Sequence, residues 1–298
     1  VFATPTFDAV HALRWFGLCA ALVAVPPNST WAADSGHDDD FFTMERPPDP
    51  GEGRVQPDII PFWTTDLKTA VRAYRRGDFE KAAELFSAIS EDGNIVADWY
   101  LGHLYQLGRG VGRDDAKAFS YYSRVADAFD PNEPRDTRLR IMIDAIVKVA
   151  QYYATGVKPV GIPRNPDRAT SLFKLAASYG HPGAQYALGV MAIDGERQRP
   201  VHGLQWLRAA AKKRFAPAEA KLGDLYWEGA IVKQDRTRAL MWYILAQETA
   251  HPDRDRRIID RFANLMDQAS EEERLEAAAR AKVWADRYPI PKPPALGE

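Results

Sequence analysis

Cysteine is all but missing from this chain: Cys19 is the only one in 298 residues. Everything downstream of it therefore lacks disulfides, thiolate metal sites and a thiol nucleophile. Histidine is sparse and scattered. His11, His37, His103, His181, His202 and His251 stand singly, and none lies at metal-ligand spacing from another. Long apolar runs are missing as well. The run "WFGLCAALVAV", Trp15 to Val25, has 11 residues, where a membrane span needs about 20. Charge of one sign is also lacking, for the net is −2. A chain so balanced carries no basic stripe to suit nucleic acid.

The assembled motifs of catalysis are absent too. "GRGVGR", Gly108 to Arg113, superficially suggests a phosphate-cradling loop, but such a loop follows a strand in a βαβ unit. Here it joins two helical patterns. Ser171-Leu172-Phe173-Lys174 matches the Ser-x-x-Lys of serine β-lactamases, yet the partner motifs are lacking: Lys68-Thr69 runs into Ala70, and no Ser-Asp-Asn occurs. Leu172 and Phe173 fall at core positions, which leaves Ser171 and Lys174 as helix-surface residues. His37-Asp38-Asp39-Asp40 reads as solvated charge, and Lys212-Lys213-Arg214 as a wet helix end. No enzyme, cofactor or metal is expected.

What is there is a repeat. Ala97, Leu101, Gly102, Tyr105, Gly108, Asp114, Lys117, Ala118, Tyr121 and Tyr122 each return 121 residues later as Ala218, Leu222, Gly223, Tyr226, Gly229, Asp235, Arg238, Ala239, Trp242 and Tyr243. Two looser copies lie between, through Ala145, Val149, Ala150, Tyr153 and Gly156, and through Ala184, Leu188, Gly189 and Gly195. Apolar residues four apart share one helical face, so each copy predicts two helices around a glycine-rich turn. Gly102, Gly189 and Gly223 fall inside the first helix, where glycine costs about 1 kcal/mol relative to alanine. A recurring cost of that kind implies a neighbouring helix too close for a larger side chain.

This code resembles the Sel1-like repeat, a relative of the tetratricopeptide repeat. "ADWYLGHLYQLGRGVGRDDAKAFSYYSRVA" carries most of its landmarks, and a degenerate unit with Ala70, Tyr74, Gly77, Ala82, Ala83 and Phe86 precedes it. The resemblance implies an all-α, right-handed α-solenoid of stacked helical hairpins, closed by a C-terminal helical cap. "SEEERLEAAARAKVWADRY" suits that cap, because Ser270 and Glu273 have capping-box spacing. The expected organisation is a signal peptide over 1–32 and an acidic, proline-rich linker over 33–62. A tetratricopeptide-like capping unit over 63–95 follows, then four repeats over 96–250 with starts near 97, 145, 184 and 218, and finally capping helices and tail over 251–298. The signal reading rests on the short apolar run closed by Pro26 and Pro27 and on the small residues Ala32 and Ala33. The linker reading rests on eight acidic against two basic residues between 34 and 62.

Repeat spacing is uneven. The interval after Ala97 holds the polar insertion "DAFDPNEPRDTRLR", and the next holds a lengthened turn, "GVKPVGIPRNP". These two departures, in this order, resemble the ExoR family of periplasmic negative regulators of exopolysaccharide production. That resemblance implies a periplasmic protein whose partner is the periplasmic domain of a membrane sensor histidine kinase, held inactive until proteolysis or acid releases it. A non-signalling scaffold in envelope or polysaccharide assembly is the alternative, and a cell-wall hydrolase a distant third. In repeats of this type the first helix of each hairpin lines a groove. Its expected protein-binding residues are Trp99, His103, Gln106, Gln151, Tyr186, Val190, Asp224 and Trp227, with Val147, Ala154, Ile193 and Ala220 beside them.

Overall fold

Helix starts in this chain are set by short polar side chains that satisfy the first free backbone N–H groups. Asn94 accepts from Val96 N and Ala97 N, Asp114 from Ala116 N and Lys117 N, and Asp235 from Arg238 N. Pro166, Pro182 and Pro200 open three further helices, where the missing N–H costs nothing. Ser270 and Glu273 close a capping box, as their spacing predicts. At the other ends, Gly108 and Gly229 stop two helices in the left-handed conformation, at φ 65° and 72°.

The computed structural model describes residues 64–291 except 159, 160, 196, 197 and 253, all within the compact unit Pro61–Glu298. The expected signal peptide and acidic linker, Cys19 and His37 to Asp40 lie outside the described residues. Twelve helices follow in order among them. They are α1 Thr65–Arg75, α2 Phe79–Glu91, α3 Ile95–Leu107, α4 Asp115–Asp127, α5 Thr137–Thr155 and α6 Pro166–Ser178, then α7 Pro182–Asp194, α8 Pro200–Ala211, α9 Ala216–Glu228, α10 Arg236–Thr249, α11 Arg256–Gln268 and α12 Glu271–Arg287. Each helix packs mainly on its sequence neighbours, and α12 folds back onto α10. That is an all-α solenoid, with contacts running from one hairpin to the next.

Three apolar clusters run through it, the first spanning α1 to α5, the second α5 to α7, and the third α7 to α12. The glycines sit where the helices of one hairpin touch. A Cβ on Gly102 would lie 2.6 Å from the Tyr122 ring, and one on Gly223 2.5 Å from the Tyr243 ring. On Gly189 it would lie 2.8 Å from Leu207 and 3.1 Å from the carbonyl oxygen of Gly203. Gly110 backs onto the start of α2, so the "GRGVGR" turn is a packing element.

One helix reaches beyond its repeat landmarks, and one expectation needs correction. The tail of the polar insertion is helical: α5 begins at Thr137, and its Leu139 and Ile143 are buried. Asp136 makes this possible by capping the helix at Arg138 N and Leu139 N. Arg214, read as part of a wet helix end, is buried with φ +57°. It donates to Glu219 at 3.0 Å, to Glu248 at 2.6 Å and to the carbonyl of Leu245 at 3.3 Å, which ties the α8–α9 turn to α10. The charge enters the interior because two carboxylates meet it there.

Gly223→Leu should lower stability by about 1–3 kcal/mol although leucine is the better helix former. Thermal melting checks this, and an unchanged or higher midpoint would discard the close-contact reading. Arg214→Met should cost about 3–5 kcal/mol, since Glu219, with 0% of its side chain exposed, loses its partner. The double variant with Glu219→Leu should recover much of that loss, and equal melting of single and double variants would contradict it.

Candidate functional site

The first helices of successive hairpins, α3, α5, α7 and α9, bring a set of polar and aromatic side chains together. Asp144, on α5, is the centre of it. The carboxylate accepts the indole N–H of Trp99 at 2.7 Å, across from α3. His103 Nε2, one turn along α3, stands 3.8 Å away, and His181 Nε2, at the start of α7, 3.5 Å away. His181 Nδ1 accepts from Ala184 N and caps α7, so the proton of the neutral ring lies on Nε2 and faces Asp144. One acid thus joins three hairpins.

Aromatic edges wall the cluster. The Trp99 ring meets His103 edge-on at 4.3 Å, and His103 meets Tyr122 at 5.5 Å. Tyr122 donates to Gln106 at 3.1 Å. Burial alone would raise the Asp144 carboxyl, but the flanking imidazoles of His103 and His181 and the charge of Lys148 outweigh it and hold it well below the usual carboxylate range. Burial pushes His103 below its ordinary 6.5 against the pull of Asp144, and the charges of Lys148 and Arg254 act in the same direction as burial.

Farther along, the expected residues are engaged rather than free. Tyr186 rests on Phe215 with ring centroids 5.8 Å apart. Asp224 accepts from Tyr243 at 2.7 Å and faces Arg261, from α11, at 3.7 Å. The Arg236 guanidinium covers Trp227 at 4.6 Å and also binds Glu273 at 3.1 Å and the carbonyl of Gln268. Trp227 therefore packs beneath an arginine that the C-terminal cap holds. Gln151 is exposed, and Gln106 and Val190 are half-buried. Val147, Ile193 and Ala220 were expected to project outward, but they are buried. Each first helix is rotated so that its apolar side meets both its own partner helix and the next hairpin. Ile193, for one, fills the space over Gly203.

Asp144, Lys148 and His181 escaped the sequence reading. The signal for Asp144 was a lone acid inside the apolar stretch "RIMIDAIVKVA", and for His181 a cap position just before Pro182. Ser171 and Lys174 are exposed, and Ser171 donates back to the carbonyl of Asp167 at 3.0 Å. Among the described residues no group of three or more His, Cys, Asp or Glu is placed to hold a metal ion. Among them, too, no helix is long and apolar enough to cross a membrane.

Stacked hairpins that present side chains from successive first helices define a repeat-type interaction scaffold. The Sel1 repeat profile matches residues 95–128, 143–181, 182–214 and 216–246, so the chain carries four Sel1 repeats. It is 30% identical over 181 residues to an exopolysaccharide production negative regulator of Rhizobium leguminosarum bv. viciae, a match covering 59% of this chain and 66% of the relative. It is 28% identical over 183 residues to the protein of the same description in Rhizobium meliloti, with 60% and 66% covered. The chain thus spans just under two thirds of each relative. Among solved structures, a Sel1 repeat protein from Oxalobacter formigenes superposes with a TM-score of 0.53 at 22% identity, over 72% of this chain and 83% of that one. That likeness concerns the fold.

His103 sets a pH dependence whose sign follows from its lowered pKa. Below about 6.5 the unfolded chain takes up a proton that the folded chain refuses, so His103 removes stability as pH falls. Glu219 acts oppositely: burial pushes its carboxyl up to about 7, so it adds stability as pH falls from there toward 4.5. The measurement is therefore a difference, the change in melting midpoint from pH 7.5 to 5.5 (taken as about one unit either side of 6.5) in wild type and in His103→Gln. The variant should lose less, or gain more, than wild type over that interval. Equal changes would show that His103 is not held neutral.

Proposed function

We propose that this chain acts by binding another protein and so lowers exopolysaccharide production. Its partner in this reading is the periplasmic sensing domain of a membrane sensor histidine kinase, which it holds inactive from the periplasm. The observation that carries the reading is the similarity to two named negative regulators of exopolysaccharide production. The first-helix face supports it. Trp99 and Tyr186 lie half-buried there, with Gln151 exposed between them in chain order, and buried aromatics rimmed by polar groups are what binding hot spots require. The apolar run Trp15 to Val25 and the Ala32-Ala33 site support export.

Pull-down of the kinase sensing domain, paired with exopolysaccharide output, tests the proposal. Trp99→Ala, Tyr186→Ala and Trp227→Ala variants that keep wild-type helicity should each lose about 2 kcal/mol or more, roughly thirtyfold in affinity. Gln151→Arg, at an exposed position that no packing contact needs, should weaken binding without altering the melt. Lys174→Ala, on the outer side of α6, should stay within about 0.5 kcal/mol. Folded variants that bind and repress like wild type would clear this face. Altered exopolysaccharide output with no kinase capture would favour a scaffold in polysaccharide assembly instead.

A further inference from the structure

Tyr226, near the end of α9, lies between two guanidinium groups. Its hydroxyl oxygen accepts from Arg208 Nη2 at 3.5 Å and from Arg238 Nη1 at 3.4 Å. Arg208 comes from α8 and Arg238 from α10, so three helices converge on one phenol. The Arg238 guanidinium also lies over the Tyr226 ring, 5.0 Å from its centroid. The turn between α9 and α10 completes a pocket of about 450 Å³, lined by Tyr226, Val232, Lys233, Gln234, Asp235 and Arg238. That is the size of small-molecule sites, which run from about 300 to 1,000 Å³.

The charges there are lopsided. Two cations, Lys233 and Arg238, line the pocket beside one carboxylate, Asp235, and that carboxylate is already engaged. Asp235 Oδ1 caps α10 through Arg238 N at 2.8 Å, while its Oδ2 faces Arg238 Nε at 3.5 Å and Arg280 Nη1 at 3.8 Å. The guanidinium groups act on the phenol as well. Burial alone would raise Tyr226, but the hydrogen bonds and charge of Arg208 and Arg238 outweigh it and hold the group below its ordinary value. Tyr122, Tyr152 and Tyr243, buried elsewhere in the same repeats, are pushed up.

The repeat itself does not demand this arrangement. A cation over the corresponding tyrosine recurs, with Lys117 over Tyr105 and Arg168 over Tyr153. That pairing is packing. The cleft beside Tyr153 is lined chiefly by apolar side chains, among them Phe119, Phe129, Leu172 and Leu175. In the fourth hairpin a second guanidinium reaches the hydroxyl and Lys233 stands on the rim. With both arginines donating to its oxygen, the Tyr226 O–H keeps its own hydrogen to give.

We propose that this pocket binds an oxyanion, the carboxylate or phosphate group of a small soluble ligand, between Arg238, Lys233 and the Tyr226 hydroxyl, with Arg208 behind. Guanidinium groups match both anions in geometry, and their charge-assisted hydrogen bonds are the strong ones. The site lies on the α8–α10 side of the fourth hairpin and is independent of the kinase reading.

Calorimetric titration of the full chain at low salt tests it, with inorganic phosphate and glucuronate as probes and glucose as the uncharged control. Saturable binding of at least one anion, with none of glucose, is expected. Which anion binds separates the phosphate from the carboxylate reading. Lys233→Gln and Arg238→Gln should each weaken binding about tenfold, as loss of a charge-assisted contact does. Tyr226→Phe should weaken it as well, and Lys174→Ala should not. Lys233 sits exposed in the turn, so its variant tests the site even if Arg238→Gln disturbs the fold. No saturable binding of either anion, binding indifferent to Lys233→Gln, or equal binding of glucose would each overturn the proposal.

Discussion

The structure depends on the contact between a ring, or a leucine, and a bare helix backbone. Tyr122 lies against Gly102, Tyr243 against Gly223 and Leu207 against Gly189, each within the distance a Cβ would occupy. These contacts fix how closely the two helices of a hairpin approach, and therefore where the next hairpin must sit. A solenoid has few long-range contacts to absorb an error, so spacing set inside one hairpin passes to the next. The tyrosines also carry the geometry outward. The Tyr122 hydroxyl bonds Gln106 and the Tyr243 hydroxyl bonds Asp224, so each ring that fills the hairpin also positions a polar residue on the first-helix face. Packing and surface chemistry meet in one side chain.

Charge does a second kind of fastening. Three shielded groups each tie elements that apolar packing alone would join loosely. Asp98 binds Ser90 at 2.6 Å and Arg124 Nε at 2.9 Å, linking α2, α3 and α4. Asp144 links α3, α5 and α7, and Arg214 links the α8–α9 turn to α10. A buried charge is a net gain only when its partners replace most of its hydration. Each of these has two or more. Their placement differs from hairpin to hairpin, which the apolar code does not, so these ties distinguish one hairpin junction from another.

The helices, their caps and the glycine contacts were legible in the sequence because each is a local matter. An Asn or Asp before a helix, a proline at its first position, and a glycine at the same register in successive copies all act within a few residues. The groove was legible only in part. Trp99 and His103 do meet on one face, but Val147, Ile193 and Ala220 turn inward, since register along a helix does not fix its rotation against two neighbours. Asp144 and Arg214 were missed for a related reason. Their partners lie 34 to 45 residues away by chain for Trp99, His181 and Glu248, and no local pattern records such a meeting. The pocket at Tyr226 was hidden in the same way, because Arg208 belongs to the preceding hairpin.

The Asp144 cluster bears on how such a face could be controlled. A partner seated across α3, α5 and α7 would favour the arrangement of hairpins that Asp144 holds, because binding stabilises whichever state presents the site. The reverse also holds by linkage, so a change that loosens the three-hairpin junction must lower affinity for that partner. His103 is poised for this role by position alone, since its imidazole is shielded between Trp99 and Tyr122 and cannot take a proton without adding charge beside Lys148 and Arg254. The groups that order the face and the groups that would contact a partner are then nearly the same residues. Stability and recognition are coupled there, which is why a variant on this face is informative only when its folding is measured alongside its binding.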